Sequence, residues 1–90
     1  MGKARRYSVR IKRSAEKEMD RIPKRTFDRL AAAITALESN PRPAASTKLR
    51  GIDEYRLRVG SYRILYTIDD KKRVIEIVAV GHRREVYRGL

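Results

Sequence analysis

The segment 55–68 constrains the fold most, because apolar and polar residues alternate along it on both sides of a glycine-serine pair. An alternating pattern with a period of two is typical of a strand that buries one face. The pair Gly60-Ser61 interrupts the pattern, and a two-residue turn that begins with glycine joins antiparallel strands. The segment therefore predicts a β-hairpin with one apolar face and one polar face.

The turn at Gly60-Ser61 fixes the register of this hairpin and brings arginines together on its polar face. Arg58 is predicted to face Arg63, and Arg56 to face Leu65. Like charges directly opposite each other in a sheet cost roughly 0.2–1 kcal/mol. A bound polyanion would offset this cost, so the three arginines are predicted to form an exposed anion site. The alternative is an ordinary solvated polar face.

The rest of the chain predicts a strand, a helical hairpin and a central strand around this β-hairpin. Residues 7–11 alternate as a strand does, whereas residues 15–22 and 24–38 repeat their apolar positions at helical spacing. Residues 74–80 form an almost continuous apolar run, which is typical of a strand covered on both faces. The sequence thus predicts one α+β domain over residues 1–90, of order β-α-α-β-β-β, with the helical hairpin packed on one face of a small antiparallel sheet.

The charge of the chain points to nucleic acid as its partner. The 90 residues include 23 Lys and Arg against 11 Asp and Glu, a net charge of +12. Residues 14–40 carry equal numbers of acidic and basic side chains, so the excess lies outside the predicted helices. A polyanion is the expected ligand of such a surface. Lys48 and Arg50 would extend a phosphate track from the hairpin; alternatively they are exposed loop cations.

Other classes of protein find less support in the sequence. The chain has no Cys, no apolar run long enough to span a bilayer, and no signal-peptide pattern at residues 1–12. A cytoplasmic protein that contacts no membrane is therefore expected. No Cys, His and carboxylate grouping has the spacing of metal ligands, and no glycine-rich phosphate loop is present. We expect neither a metal nor another cofactor.

The segment after the last strand supplies two candidates for proton transfer. Cleavage of RNA by its own 2′-hydroxyl needs a base for the hydroxyl proton, cations near the phosphate, and an acid for the leaving oxygen. His82 is the only histidine of the chain, and Tyr87 follows it in the same segment. Tyr87 would act as a base near neutral pH only if surrounding arginines lowered its pKa. Both residues also have structural alternatives, as an exposed histidine and as an aromatic cap on the core.

Three segments of the chain resemble the RelE family of the RelE/ParE toxin superfamily. They are Lys48-Leu49-Arg50-Gly51, the hairpin 55–66, and the segment 80–87 that reads VGHRREVY. The resemblance implies the toxin of a type II toxin–antitoxin system, namely a metal-independent mRNA endonuclease that works on the ribosome. It also implies an acidic, RelB-like antitoxin as partner, beside the ribosome and mRNA.

The resemblance assigns roles to individual arginines. Arg56 and Arg58 match two basic strand residues that hold RNA and assist proton transfer, although the family often has Lys there. Arg63 matches an arginine that stabilises the phosphate, and Arg83 matches a second transition-state arginine. Together with the cations predicted from their place in the sequence, the residues expected to bind RNA are Lys48, Arg50, Arg56, Arg58 and Arg84.

Tyr87 matches a terminal tyrosine that acts as general base or as a stacking platform in the family. His82 stands where the family often has a basic residue, and it would supply proton chemistry that arginine performs poorly. Two other functions stay open: a ParE-like, non-enzymatic poison of DNA gyrase, and a basic nucleic-acid-binding module without catalysis.

Overall fold

The computed structural model of the chain describes residues 6–82, which form two helices and one five-stranded sheet. The elements are β1 (Ser8–Ile11), α1 (Arg13–Asp20), α2 (Lys24–Ala36), β2 (Ser46–Lys48), β3 (Tyr55–Val59), β4 (Tyr62–Asp69) and β5 (Val74–His82). The predicted α+β class is confirmed. Strand β2 was not predicted, because three residues are too few to show alternation. Within the described part of the chain, neither helix is long and apolar enough to cross a membrane.

The strands lie in the order β1-β5-β4-β3-β2. The three pairs from β5 to β2 are antiparallel, whereas β1 pairs with β5 in parallel, so the sheet is mixed rather than purely antiparallel. Two helices connect β1 to the rest of the chain, and such a long crossover lets a strand join the sheet beside a parallel partner. The alternating pattern of residues 7–11 identifies a strand but does not reveal its neighbour.

Both helices pack on one face of the sheet, which we call the helix side. The buried core on this side comprises Ala15, Met19, Leu30, Ile34, Leu37, Leu57, Ile64, Tyr66, Ile75, Ile77 and Val80. Removing each large aliphatic side chain from water contributes about 1.5–3 kcal/mol, so this layer is the main source of stability. The opposite face, which we call the open face, presents Arg10 of β1, the polar side of β3 and β4, and Gly81 of β5.

A β-bulge in β5 decides which face its last residues occupy. The pairing register of β4 and β5 shifts by one residue midway, and Val78 is left without a partner. A bulge of this kind reverses the alternation of side chains along its strand. Ile77 and Val80, which are an odd number of residues apart, therefore both reach the core. The same shift places His82 on the helix side, opposite Tyr62.

A polar network joins three segments at the end of the sheet that is remote from Gly60. Asp70, in the turn between β4 and β5, accepts hydrogen bonds from Arg42 Nη2 at 2.9 Å and from Tyr7 Oη at 2.6 Å. Arg42 lies in the loop between α2 and β2, and its Nε also donates to Tyr55 Oη at 3.0 Å. The network thus ties this loop and the start of the described chain to the sheet.

Candidate functional site

The β3–β4 hairpin brings the predicted arginines together on the open face. Arg58 pairs with Arg63 and Arg56 pairs with Leu65, so the predicted register is confirmed. Gly60 adopts a φ of 61° in the connecting turn, a conformation that glycine reaches without steric cost. The tight turn therefore fixes the pairing that sets the guanidinium groups side by side.

The burial of these arginines differs from the exposed cluster that the sequence predicts. Arg58 is exposed, Arg56 is half-buried, and Arg63 is only 8% exposed. Leu65, on the same face of β4, is 2% exposed. Strand β4 is the middle strand of the sheet, so its side chains have neighbours on both sides. Arg63 is the buried member of the arginine cluster, and Arg58, directly opposite on β3, is its exposed member.

The guanidinium of Arg63 has few acceptors within residues 6–82. Its Nη1 donates to the carbonyl oxygen of Tyr62 at 3.2 Å, whereas its buried Nε has no acceptor among those residues. Arginine carries five N–H donors, and buried polar groups are nearly always hydrogen-bonded. A buried guanidinium with donors to spare, beside a second arginine, has the chemistry of a site for an oxyanion such as phosphate.

Gly81 belongs to this site, although the sequence analysis did not select it. It pairs with Arg63 on β5, so no side chain of its own stands between the two strands at the guanidinium. The signal in the sequence was a glycine at the end of an apolar run, and a strand end explains such a glycine equally well. Only the register of β5 shows what Gly81 faces.

The structure does not bring His82 to the arginines. Its ring lies on the helix side, where it contacts the ring of Tyr62 edge to face, with 5.8 Å between centroids and an interplanar angle of 74°. Arg56, Arg58 and Arg63 occupy the opposite face of the sheet. The predicted site residues Arg83, Arg84 and Tyr87 lie outside the described residues.

Lys48 and Arg50 lie apart from the open face. Lys48 pairs with Tyr55 at the edge of the sheet and so belongs to the helix side, where its Nζ is 3.9 Å from Asp53 Oδ1. Arg50 follows β2 in an exposed turn. The residue of β2 that pairs with Arg56 is Thr47. The predicted extension of the phosphate track therefore does not follow the face that carries the arginines.

The described residues contain no group of three or more His, Cys, Asp or Glu side chains that could hold a metal ion. Fold and site together define a small basic α+β protein with a buried arginine opposite an exposed one on the open face of its sheet.

Comparison with known proteins identifies the family of such a chain. Residues 9–87 match the family model described as the ParE toxin of type II toxin–antitoxin systems, parDE. A RelE-like toxin protein of Escherichia coli is 33% identical over 81 residues, which cover 87% of this chain and 84% of that protein. The chain therefore belongs to the RelE/ParE family of toxins of type II toxin–antitoxin systems, and within it the chain is a RelE-like toxin.

Solved structures of similar proteins have the same fold. The RelE–RelB complex of Pyrococcus horikoshii contains a chain with 32% identity and a TM-score of 0.79; the match covers 88% of this chain and 97% of that one. The RelBE2 toxin–antitoxin complex of Mycobacterium tuberculosis gives the same TM-score at 28% identity, and covers 87% of this chain and 99% of that one.

Proposed function

We propose that this toxin is an endoribonuclease that cleaves mRNA on the ribosome. In the proposed reaction, the 2′-oxygen of one nucleotide attacks the adjacent phosphorus and gives its proton to a base. The bond from phosphorus to the 5′-oxygen breaks, and that oxygen takes a proton from an acid. The products are a 2′,3′-cyclic phosphate and a 5′-hydroxyl. The proposed reaction needs no metal. This course of the reaction is the one that the resemblance of the sequence to the RelE family implies.

The buried Arg63 carries the proposal. The attacked phosphate gains negative charge in the transition state, and fixed cations in a site that excludes water stabilise such charge most strongly. Arg63 has donors to spare, and the exposed Arg58 lies directly opposite. A phosphate between them would also relieve the repulsion of the two guanidinium groups.

Proton transfer is assigned to Tyr87 in this proposal. Arginine keeps its proton at any ordinary pH, so Arg56 and Arg58 are better suited to hold RNA than to exchange protons. His82 lies on the helix side, and Arg63 on the opposite face of the sheet. Among the candidates for proton transfer this leaves Tyr87, and nearby arginines would have to lower the pKa of its phenol. Arg83 is proposed as a further ligand of the phosphate.

The partners that we propose follow from charge and from the relatives. A surface of net charge +12 would attract mRNA and the ribosome, which would place the activity in the cytoplasm. Similar toxins were solved in complexes with RelB antitoxins. We therefore propose an antitoxin partner for this chain, and expect it to be acidic so that it complements the basic surface.

A second candidate function is poisoning of DNA gyrase without catalysis. The family model that matches residues 9–87 is described as the ParE toxin, and this match favours poisoning of gyrase. A basic nucleic-acid-binding module without chemistry is the third possibility. Neither of these functions needs a buried arginine with unused donors.

A translation extract with a defined mRNA, together with an assay of gyrase supercoiling, distinguishes the three functions. We expect fragments that end in a 2′,3′-cyclic phosphate, and only when ribosomes translate the message. A message with one 2′-deoxynucleotide at the cleaved position should resist at that position, because the attacking hydroxyl is missing. Inhibition of gyrase supercoiling without cleavage would establish the ParE-like function, and RNA binding with neither effect would establish the binding module.

A further inference from the structure

A groove lies on the helix side, between the end of α1, the start of β4 and the end of β5. It has a volume of about 410 Å³ and is lined by Glu18, Arg21, Ile22, Tyr62, Val80, Gly81 and His82. We call it the α1–β5 groove. The arginines of the candidate site lie on the other face of the sheet, so the proposed cleavage reaction leaves this groove without a role.

The groove forms because β1 is shorter than β5. Strand β1 pairs with β5 only as far as Ile77, whereas β5 continues to His82. Beyond that point α1 takes the place of a strand: the backbone N–H of Val80 donates to Glu18 Oε1 at 2.8 Å. The carboxylate of Glu18 is therefore held in a fixed position on the wall of the groove.

Two aromatic rings form the other wall. Tyr62 and His82 are direct partners across β4 and β5, and their rings meet edge to face. Tyr62 is half-buried and His82 is exposed, and both residues line the groove. Arg21, at the end of α1, adds an exposed guanidinium.

This set of side chains matches an unpaired nucleobase better than it matches a phosphate. Single-stranded RNA is recognised when a base stacks on an aromatic ring or a guanidinium and forms hydrogen bonds through its edge. Arg21 could donate to such an edge, and the carboxylate of Glu18 could accept from an amino group. The negative charge of Glu18 would repel a phosphate placed in the same groove.

The groove lies close to the proposed cleavage site along the chain. Gly81 pairs with Arg63 on the open face, and the next residue, His82, lines the groove. Adjacent strand residues are about 3.3 Å apart, so the groove and the arginine cluster lie at the same end of the sheet, on opposite faces.

We propose that the α1–β5 groove binds an unpaired base of the RNA next to the cleaved phosphate and so determines which nucleotide is preferred there. The proposal rests on the proposed function for its place in the reaction, but binding of a base can be measured without cleavage. His82 is the only histidine of the chain, so its imidazole signals in an NMR spectrum report on the groove unambiguously.

The binding test compares the four nucleoside 5′-monophosphates with ribose 5-phosphate, which lacks a base. We expect at least one nucleotide to shift the His82 signals in a saturable manner, and ribose 5-phosphate to leave them unchanged. Arg21→Ala should remove the response, whereas Lys17→Ala, which removes a cation of α1 outside the groove, should keep it. Arg63→Met should also keep it, because Arg63 lies on the other face.

The same variants test the effect on cleavage. In the translation extract, Arg21→Ala and Glu18→Gln should change the relative rates at sites with different neighbouring nucleotides by about tenfold, and Lys17→Ala should not. Glutamine at position 18 retains an oxygen for the N–H of Val80, so the groove should keep its shape. If the wild-type protein bound bases but cleaved no mRNA, the groove would remain a base-binding site and the proposed nuclease activity would be rejected.

Three results would overturn the proposal. The first is an equal His82 shift with ribose 5-phosphate, which would make the groove a phosphate site. The second is the absence of any shift with all four nucleotides. The third is loss of the response in Arg63→Met, which would trace the shift to the open face.

Discussion

Arg63 places a positive charge where a folded protein rarely keeps one without a partner. Its side chain is 8% exposed, it lies opposite another arginine, and its hydrogen bond within residues 6–82 goes to a neutral carbonyl. Loss of hydration and repulsion from Arg58 both destabilise the folded protein at this position. A residue that costs stability in this way is explained by binding an anion.

Replacing Arg63 with methionine should therefore separate function from stability. Methionine has no charge and an unbranched side chain that occupies part of the same buried space, so the change removes the donors and the charge. We expect the rate of mRNA cleavage to fall by about a hundredfold or more, and the melting temperature to stay the same or rise. Cleavage is measured in the translation extract, and melting by circular dichroism.

Arg10→Met is the matched control, because Arg10 is an exposed arginine of the open face on the distant strand β1. It should cleave at nearly the wild-type rate. Normal cleavage by Arg63→Met would remove Arg63 from the site, and a large loss of stability would mean that its guanidinium has a structural role.

The pairing of the arginines could be predicted from the sequence, whereas their burial and the place of His82 could not. A two-residue turn fixes the register of a hairpin, and so Arg58 faces Arg63. Burial depends on neighbouring strands that local alternation does not reveal. Uninterrupted alternation from Ile77 would place His82 on the open face, and the bulge at Val78 reverses it.

Among the connections between described elements, the network at Asp70 should respond to pH. The hydrogen bond from Arg42, followed by the one from Tyr7, holds the pKa of Asp70 below its ordinary value. Donation to the same carboxylate raises the pKa of Tyr7 and of Arg42. The ionised carboxylate is thus the form that joins the loop, the turn and the segment before β1.

Because the pKa of Asp70 is lower in the folded than in the unfolded protein, its contribution is complete above the unfolded value, near pH 3.9. The contribution is lost as the pH falls through the folded value. Asp70→Asn should therefore melt at a lower temperature than wild type at pH 7, and the difference should shrink as the pH falls to about 2.

Asp53→Asn is the control for this series, because the Asp53 side chain is 89% exposed and its nearest cation, Lys48 Nζ, is 3.9 Å away. Its melting temperature should follow that of wild type at each pH. A difference between Asp70→Asn and wild type that stayed constant down to acid pH would show that the network does not depend on the charge of Asp70.

Elements with strong periodicity were predictable, and their partners were not. Helix α2 and the β3–β4 hairpin follow directly from their apolar spacing. The parallel pairing of β1 with β5 depends on how the two helices between β1 and the later strands pack against the sheet. Strand β2 has three residues, too few to show alternation in the sequence. The surroundings of Arg63 could not be predicted from the hairpin alone, because Gly81 lies beside Arg63 through the pairing of β4 with β5.

For the molecule as a whole, the question is which part of its +12 charge contacts RNA. Arg58 lies on the open face beside Arg63, whereas Lys48 belongs to the helix side and lies near Asp53. The two residues carry equal charge and both are exposed. They therefore form a matched pair for locating the RNA, independently of the overall attraction between a basic protein and a polyanion.

Each phosphate contact to single-stranded RNA releases counterions and adds about 0.7 to the slope of log affinity against log salt concentration. Arg58→Gln should reduce the slope by about this amount, and Lys48→Gln should leave it nearly unchanged. Binding is measured by fluorescence anisotropy with single-stranded 2′-O-methyl RNA, which lacks the attacking hydroxyl and stays intact during the titration. Equal reductions in the two variants would mean that RNA is held by charge over the whole surface rather than on the open face. A smaller slope for Lys48→Gln alone would place the RNA path on the helix side at the edge strand β2, and so separate it from Arg63.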